Sequence, residues 1–203
     1  MNSFPTYEPE DSLKDSGYSY IAGVDEAGRG PGAGPVVAAA VRVPDAYRDT
    51  LLGKVRDSKK MTPRRREAMR EVITNTCDYG IGVIDNRIID EINILEATKL
   101  AMRKAVNDLK CVDHVLVDGT VDITGLDVPQ QQIIKGDNIS VSIAAASIIA
   151  KTARDELMMH LHYVYPVYNW LQNKGYLTKE HIEMIKLYGA SEFHRKSFRK
   201  VGR

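Results

Sequence analysis

The chain has 203 residues, 43% hydrophobic and 27% charged, which is enough for one domain that buries its own core without staples. Its two cysteines, Cys77 and Cys111, show no CxxC or finger spacing, which argues against a thiolate metal site and for free thiols in a reducing compartment. The net charge is +1, residues 1–17 lack the apolar centre of a signal peptide, and no apolar run approaches a membrane span, so a soluble, cytoplasmic chain is expected.

In chain order, residues 18–25 read as a strand that ends on Asp25. Residues 35–43 read as a second strand, a valine and alanine run broken at Arg42 and stopped by Pro44. Thr62 as N-cap with Pro63 at N1 opens a helix whose apolar face is Met69, Val72 and Ile73. The alternation of Tyr79, Ile81 and Val83 predicts a third strand. Residues 90–110 form an amphipathic helix, with Leu95, Thr98, Met102, Ala105, Val106 and Leu109 at helical spacing. Residues 114–117 are a short buried strand that stops at Asp118-Gly119, and residues 131–134 are a fifth strand. Residues 141–162 are an alanine-rich helix able to pack closely on a sheet. A last helix runs from the N-cap Thr178 to Tyr188, where Gly189 can close it. This order predicts an α/β domain around a mixed five-stranded sheet flanked by helices. The expected organisation is a flexible N-terminal tail over 1–17, a main domain over 18–165, and a small helical C-terminal extension over 166–203.

Three carboxylates stand at predicted strand ends: Asp25 and Glu26 after the first, and Asp118 after the fourth. In open α/β sheets, chemistry gathers beyond the carboxyl ends of the strands. Asp137 follows the fifth strand and can join them. Acids that meet repel one another unless cations lie among them. Oxygen ligands without His or Cys select Mg²⁺ or Mn²⁺, and two such ions about 4 Å apart suit phosphodiester hydrolysis. Taken singly, Asp118-Gly119 and Asp137-Asn138 also read as plain turns.

The stretch Gly28-Arg29-Gly30-Pro31-Gly32-Ala33-Gly34-Pro35 nearly fits a dinucleotide fingerprint. However, a strand follows it instead of a helix, its prolines remove amide donors, and a Walker Gly-Lys-Ser/Thr is absent. It reads as a rigid loop whose backbone can approach a ligand, or as a glycine-rich hairpin. Basic residues cluster twice, at Lys59, Lys60, Arg64, Arg65 and Arg66 and at Arg195, Lys196, Arg199, Lys200 and Arg203. They are either phosphate grips flanking an acidic centre, with Lys59 and Arg64 as contacts, or solvated faces. His160 and His162 lie two apart on a helix and face different sides, so they are no metal pair. Packing or surface roles are expected for these and for His181 and His194. Tyr163, Tyr165, Tyr168 and Trp170 are expected as core for the extension.

Together these pieces resemble the ribonuclease HII family, a type 2 ribonuclease H. The resemblance is carried by Gly23-Val24-Asp25-Glu26-Ala27-Gly28-Arg29-Gly30-Pro31, Asp57-Ser58-Lys59-Lys60, Leu116-Val117-Asp118-Gly119 and Lys135-Gly136-Asp137. It continues through Ile143-Ala144-Ala145-Ala146-Ser147 to Lys151, Arg154 and Asp155, then Lys174-Gly175-Tyr176, Thr178, His181 and His194. Arg29, where the sister ribonuclease HIII usually has lysine, and the short N-terminal segment point to HII. The resemblance implies an RNase H-like fold with Asp25, Glu26, Asp118 and Asp137 as catalytic, metal-holding acids for two Mg²⁺ or Mn²⁺ ions. It implies that Gly28, Arg29, Gly30 and Tyr176 read the junction where a ribonucleotide is followed by DNA, and that Ser58, Lys59, Ser147, Lys151 and Arg154 bind substrate. The implied substrates are RNA–DNA hybrids and duplex DNA carrying single ribonucleotides, cut 5′ of the ribonucleotide to leave 5′-phosphate and 3′-hydroxyl ends; nothing in the sequence demands more than a monomer. Asp155 is expected as a supporting partner, and Asp122 and Asp127 have no assigned role. One departure is Lys200 before Val201, where the family usually has proline. A non-catalytic nucleic-acid binder gains nothing from four acids beside phosphates. A DNA-resolving nuclease or integrase would share the acids but not Gly28-Arg29-Gly30 with Tyr176.

Overall fold

The strand expected before Asp25 forms as β1 (Ile21–Ala27) and turns back through the glycine loop into β2 (Val36–Arg42). The computed structural model describes residues 4–201. β3 (Asp78–Ile84), β4 (His114–Asp118) and β5 (Gln130–Ile133) complete a five-stranded sheet in the order β3-β2-β1-β4-β5. β1 pairs antiparallel with β2 and β2 with β3, whereas β1, β4 and β5 run parallel. The sheet is therefore mixed, as expected, and the parallel half puts the ends of β1 and β4 side by side.

The helices are α1 (Glu8–Asp15), α2 (Arg48–Leu51), α3 (Pro63–Thr76), α4 (Asn86–Asn107), α5 (Val141–Val164), α6 (Trp170–Asn173) and α7 (Lys179–Tyr188). α5 and α3 cover one face of the sheet, where Ala144, Ala145 and Ile148 meet Ala39 and Val41. α4 covers the other face, where Ala97, Ala101 and Ala105 meet Val24, Ala38 and Ala40. Small residues on both helices and strands let the layers approach closely. α6, α7 and the segment after them form a third cluster around Trp170, Tyr168 and Met158, so the aromatic group is core, apart from the exposed Tyr163.

The expected caps form. Thr62 accepts from the Arg65 amide, Thr178 accepts from the His181 amide, and Gly189 ends α7 at φ 80°. Three features differ from expectation. The 90–110 helix begins four residues earlier, at Asn86 behind the N-cap Asp85, and breaks at Asn93, where φ is 68°. The Asn93 side chain accepts from the amides of Leu95 and Glu96, re-capping the second half. In β3 the alternation is real but the faces are reversed. Tyr79 and Val83 are exposed, while Gly80 and Gly82 are pressed onto the backbone of α4, where a Cβ would lie 2.1 and 1.9 Å from the Ala105 and Ala101 carbonyls. Finally, α1 forms inside the segment expected as a flexible tail, with Glu10 buried against α5. Residues 1–3 of that segment lie outside the described residues. Cys77 and Cys111 are free, half-buried thiols. Among the described residues no helix is long and apolar enough to cross a membrane.

Candidate active site

Asp25 and Asp118 meet because β1 and β4 are adjacent and parallel, in a register that pairs Val24 with Val117 just before the two acids. Glu26 continues β1. Asp137 sits in a single helical turn after β5, reached through Lys135 in left-handed conformation. Asp25 and Asp137 are buried, and Glu26 and Asp118 are half-buried. Each acid has one oxygen held: Asp25 Oδ1 by the Glu26 amide at 2.7 Å, Asp118 Oδ1 by the Gly136 amide at 2.6 Å, and Asp137 Oδ1 by Asn138 at 2.5 Å. Glu26 Oε1 pairs with Arg29 at 3.3 Å.

The acids feel one another. Burial, then the charges of Glu26 and Asp118, hold Asp25 well above the usual carboxylate range. Burial, then Asp57 and Asp118, push Asp137 up to about 6. Burial raises Glu26 against the pull of Arg29. Among the described residues no three His, Cys, Asp or Glu side chains close into a metal shell. The donor set still fits a hard divalent ion of the kind that keeps water and substrate oxygens in its shell and takes few protein ligands. All four donors are carboxylates, each has an oxygen beyond its internal bond, and their mutual repulsion is what a cation would relieve.

Beside the acids a groove of about 400 Å³ opens, lined by Glu26, the glycine loop, the Ser58 turn, α5 and Tyr176. Every residue expected to bind substrate lies on it: Gly28, Arg29, Gly30, Ser58, Lys59, Ser147, Lys151, Arg154 and Tyr176. Ser58 and Ser147 share a hydrogen bond of 3.0 Å between their hydroxyls. Lys151 is held by Asp155 at 2.6 Å. Burial alone would lower the Lys59 ammonium, but Asp25, Asp57 and Asp137 outweigh it and hold it above the ordinary lysine range. Tyr176 is half exposed, and its ring edge lies 3.4 Å from where a Cβ on Gly30 would be. A methyl group at Gly30 would meet the ring in ordinary van der Waals contact.

Two arginines need correction. Arg154, expected to bind substrate, is 1% exposed, and its guanidinium donates to the carbonyls of Pro35, Lys174 and Ala33. It forms the floor of the groove and has few donors left for a phosphate. Arg195, read as part of a basic surface cluster, is fully buried and donates to the carbonyls of Gly34, Arg29 and Gly28. Burial lowers both, Arg154 to about 10 and Arg195 to about 9, yet both remain charged near neutrality. The pair pins the carbonyls of the glycine loop inward. At Gly28, with φ +102°, any side chain would also run into the Arg154 guanidinium. Arg64 is exposed on α3 and is not part of the groove lining, whereas Arg66 turns inward to the Ser58 carbonyl at 2.6 Å. Arg203, last of the C-terminal cluster, lies outside the described residues.

Sequence reasoning gave no role to Asp57. Its carboxylate caps the Ser58 turn by accepting from the Lys59 amide at 2.9 Å, and its charge reaches Asp137. An acid placed two residues before a lysine in a loop was the available signal. Asp122 is engaged by Gln132, away from the groove.

The profile of the ribonuclease HII family matches residues 22–201. A ribonuclease HII of Caldicellulosiruptor saccharolyticus is 50% identical over 196 residues, covering 96% of this chain and 94% of that protein. A ribonuclease HII of Wolbachia pipientis wMel is 48% identical, covering 96% of this chain and 98% of that protein. Among solved structures, the ribonuclease H2 of Pyrococcus horikoshii OT3 superposes with a TM-score of 0.74 at 26% identity, covering 91% of this chain and 96% of that one. With its RNase H-like sheet and its acids at the ends of β1 and β4, the chain belongs to the ribonuclease HII family and is a ribonuclease H endonuclease, acting on the RNA strand of RNA–DNA hybrids.

Proposed function

We propose that the enzyme also cuts on the 5′ side of a single ribonucleotide embedded in duplex DNA, leaving 5′-phosphate and 3′-hydroxyl ends. The observation that carries this reading is the packing of the Tyr176 ring beside Gly30, on the same groove as Glu26. Telling one ribonucleotide from DNA requires sensing one 2′-hydroxyl. Gly28-Arg29-Gly30 offers backbone groups without side-chain bulk for that contact. The Tyr176 ring offers a flat surface to the next sugar, where a 2′-hydroxyl would crowd it.

Asp25, Glu26, Asp118 and Asp137 would hold the divalent ions, Mg²⁺ or Mn²⁺ and two in the working complex. When bound, these supply the positive charge that activates water and stabilises the departing oxygen. The protein's own groups orient the strand. Lys59 meets a phosphate as a cation already held charged by its acidic neighbours. The Ser58 and Ser147 hydroxyls and Lys151 line the path of the backbone. In this reading residues 18–165 are the catalytic domain, and 166–203 complete the groove through Lys174-Gly175-Tyr176.

The test compares three duplexes: one with a single ribonucleotide, the same sequence with none, and an RNA strand paired with DNA. Cleavage of the first and third but not the second is expected, with Asp25→Asn inactive on all. A single-ribonucleotide duplex left intact while the hybrid is degraded would overturn the junction reading and leave the carboxylate chemistry standing.

A further inference from the structure

Behind Tyr176, His181 and His194 sit in the aromatic core of the C-terminal segment, both without solvent exposure. Their protonation states follow from their partners. The indole N–H of Trp170 can only donate, and it lies 3.1 Å from His181 Nε2. That nitrogen is therefore bare, so the ring's proton is on Nδ1, where it donates to the Tyr176 carbonyl at 2.9 Å. On His194, Nδ1 accepts from the Ser191 amide at 2.9 Å. The proton of His194 is therefore on Nε2, which faces His181 Nε2 at 3.0 Å.

We propose that His181, with His194 behind it, is the positioning residue for Tyr176, and that it fixes the Tyr176 backbone beside the glycine loop only while both imidazoles are neutral. The proposal rests on the reading that Tyr176 senses the ribonucleotide junction. A second proton on His181 would set its Nε2–H against the Trp170 and His194 N–H groups. A second proton on His194 would oppose the Ser191 amide. The Ser191 hydroxyl, also 2.9 Å away, can turn to accept, but the amide cannot.

The surroundings favour the neutral forms. The walls are Trp170 and Tyr168, whose ring centroid is 4.7 Å from that of His194, with Phe193 beyond them. The charged neighbours are Glu180, which Asn169 engages, and Arg195, whose guanidinium is turned to the loop carbonyls. Burial, and then the facing His181, push His194 down to about 4. Burial lowers His181 against the pull of the Tyr176 carbonyl and Glu180. Tyr176 is thereby tied to the start of α7: its carbonyl also accepts from the Thr178 amide at 2.8 Å, and Thr178 caps the amide of His181.

Trp170 is the only tryptophan in the chain, so its fluorescence reports the network directly. The experiment follows wild-type fluorescence from about pH 7 to about pH 3.5, with far-UV circular dichroism as the control for folding. At each pH it also measures the ratio of cleavage rates on the single-ribonucleotide duplex and the hybrid. The fluorescence change and a fall in the ratio are expected to coincide. Because the carboxylate chemistry serves both substrates, its own titration cancels in the ratio. His181→Leu is expected to lower the ratio about tenfold, and His181→Asn, whose Nδ2–H stands where Nδ1–H was, to hold it within about twofold of wild type. Equal loss on both substrates in His181→Leu, with His181→Asn no better, would overturn the proposal. So would a ratio that stays constant through the fluorescence transition. If wild type never cuts the single-ribonucleotide duplex, although fluorescence titrates as expected, the junction reading fails and takes the proposal with it.

Discussion

Arg195 donates from its guanidinium to the carbonyl of Gly28 at 2.7 Å, a contact that joins the C-terminal segment to the loop that follows Asp25 and Glu26. The same group reaches Arg29 and Gly34, and Arg154 holds Ala33 and Pro35 from below. Both cations are buried without a carboxylate partner in contact, so backbone carbonyls solvate them, joined at Arg195 by the Phe198 ring 5.1 Å from the guanidinium.

Arg195→Lys should therefore fail to substitute, although charge is conserved. A single ammonium cannot span three carbonyls that a planar guanidinium meets together. The expected outcome is a loss of about 3 kcal/mol in stability and of about a hundredfold in hybrid cleavage. Thermal melts and initial rates check it. A variant within a few degrees of wild type and fully active would show that the loop holds itself.

The acids set a pH dependence in the metal-free protein. Asp137 sits at about 6 when folded, against about 4 in an unfolded chain. The folded state thus binds this proton more tightly. The stability linked to it is complete below about pH 4 and is lost as pH rises through about 6. In chelator at about pH 8, Asp137→Asn should be more stable than wild type by about 2 kcal/mol, and the gap should close near pH 4. Saturating Mg²⁺ should narrow the gap at pH 8 by stabilising wild type selectively. Matching melting temperatures in chelator at pH 8 would mean that the acids do not strain one another.

The products carry a further test. Among the described residues no histidine lines the groove; His181 and His194 are in the C-terminal core and His114 is buried at the start of β4. Attack by the ribonucleotide's own 2′-hydroxyl calls for a free base within reach of it, and Asp137, the acid held near 6, is one of the four that would be occupied in holding the ions. Hydrolysis by external water is expected instead, giving 5′-phosphate and 3′-hydroxyl ends. Detection of 2′,3′-cyclic phosphate by end-group analysis would falsify this.

What was legible in the sequence was what local chemistry dictates. An apolar run ending in Asp25 and another ending in Asp118 announce strand ends, and parallel pairing then brings the acids together. Thr62-Pro63 and Thr178 with Gly189 announce helix ends. What was not legible depends on distant partners. Arg195 looks like one more surface cation until loop carbonyls more than 150 residues earlier turn toward it. β3 shows its alternation, but which face is buried is decided by glycines lying against α4. α1 is short and polar, and its place is fixed by contacts with residues far along the chain. His181 and His194 are two isolated histidines in sequence and one hydrogen-bonded unit in space.

The last of these distant contacts bears on how the protein can be shortened. Glu10 receives bonds on one oxygen from the Ser140 hydroxyl, the Ser142 amide and the Ser142 hydroxyl, and Thr6 exchanges backbone bonds with Ile139 and Val141. These contacts seat a negative charge at the positive end of α5, immediately after the turn that presents Asp137. A version trimmed to begin at Tyr18 would keep Asp25, Glu26, Asp118, Asp137 and every groove residue. It would still lose the anchor of the segment that carries Asp137, so the leading stretch that looks dispensable in the sequence is part of the frame that holds this acid in place.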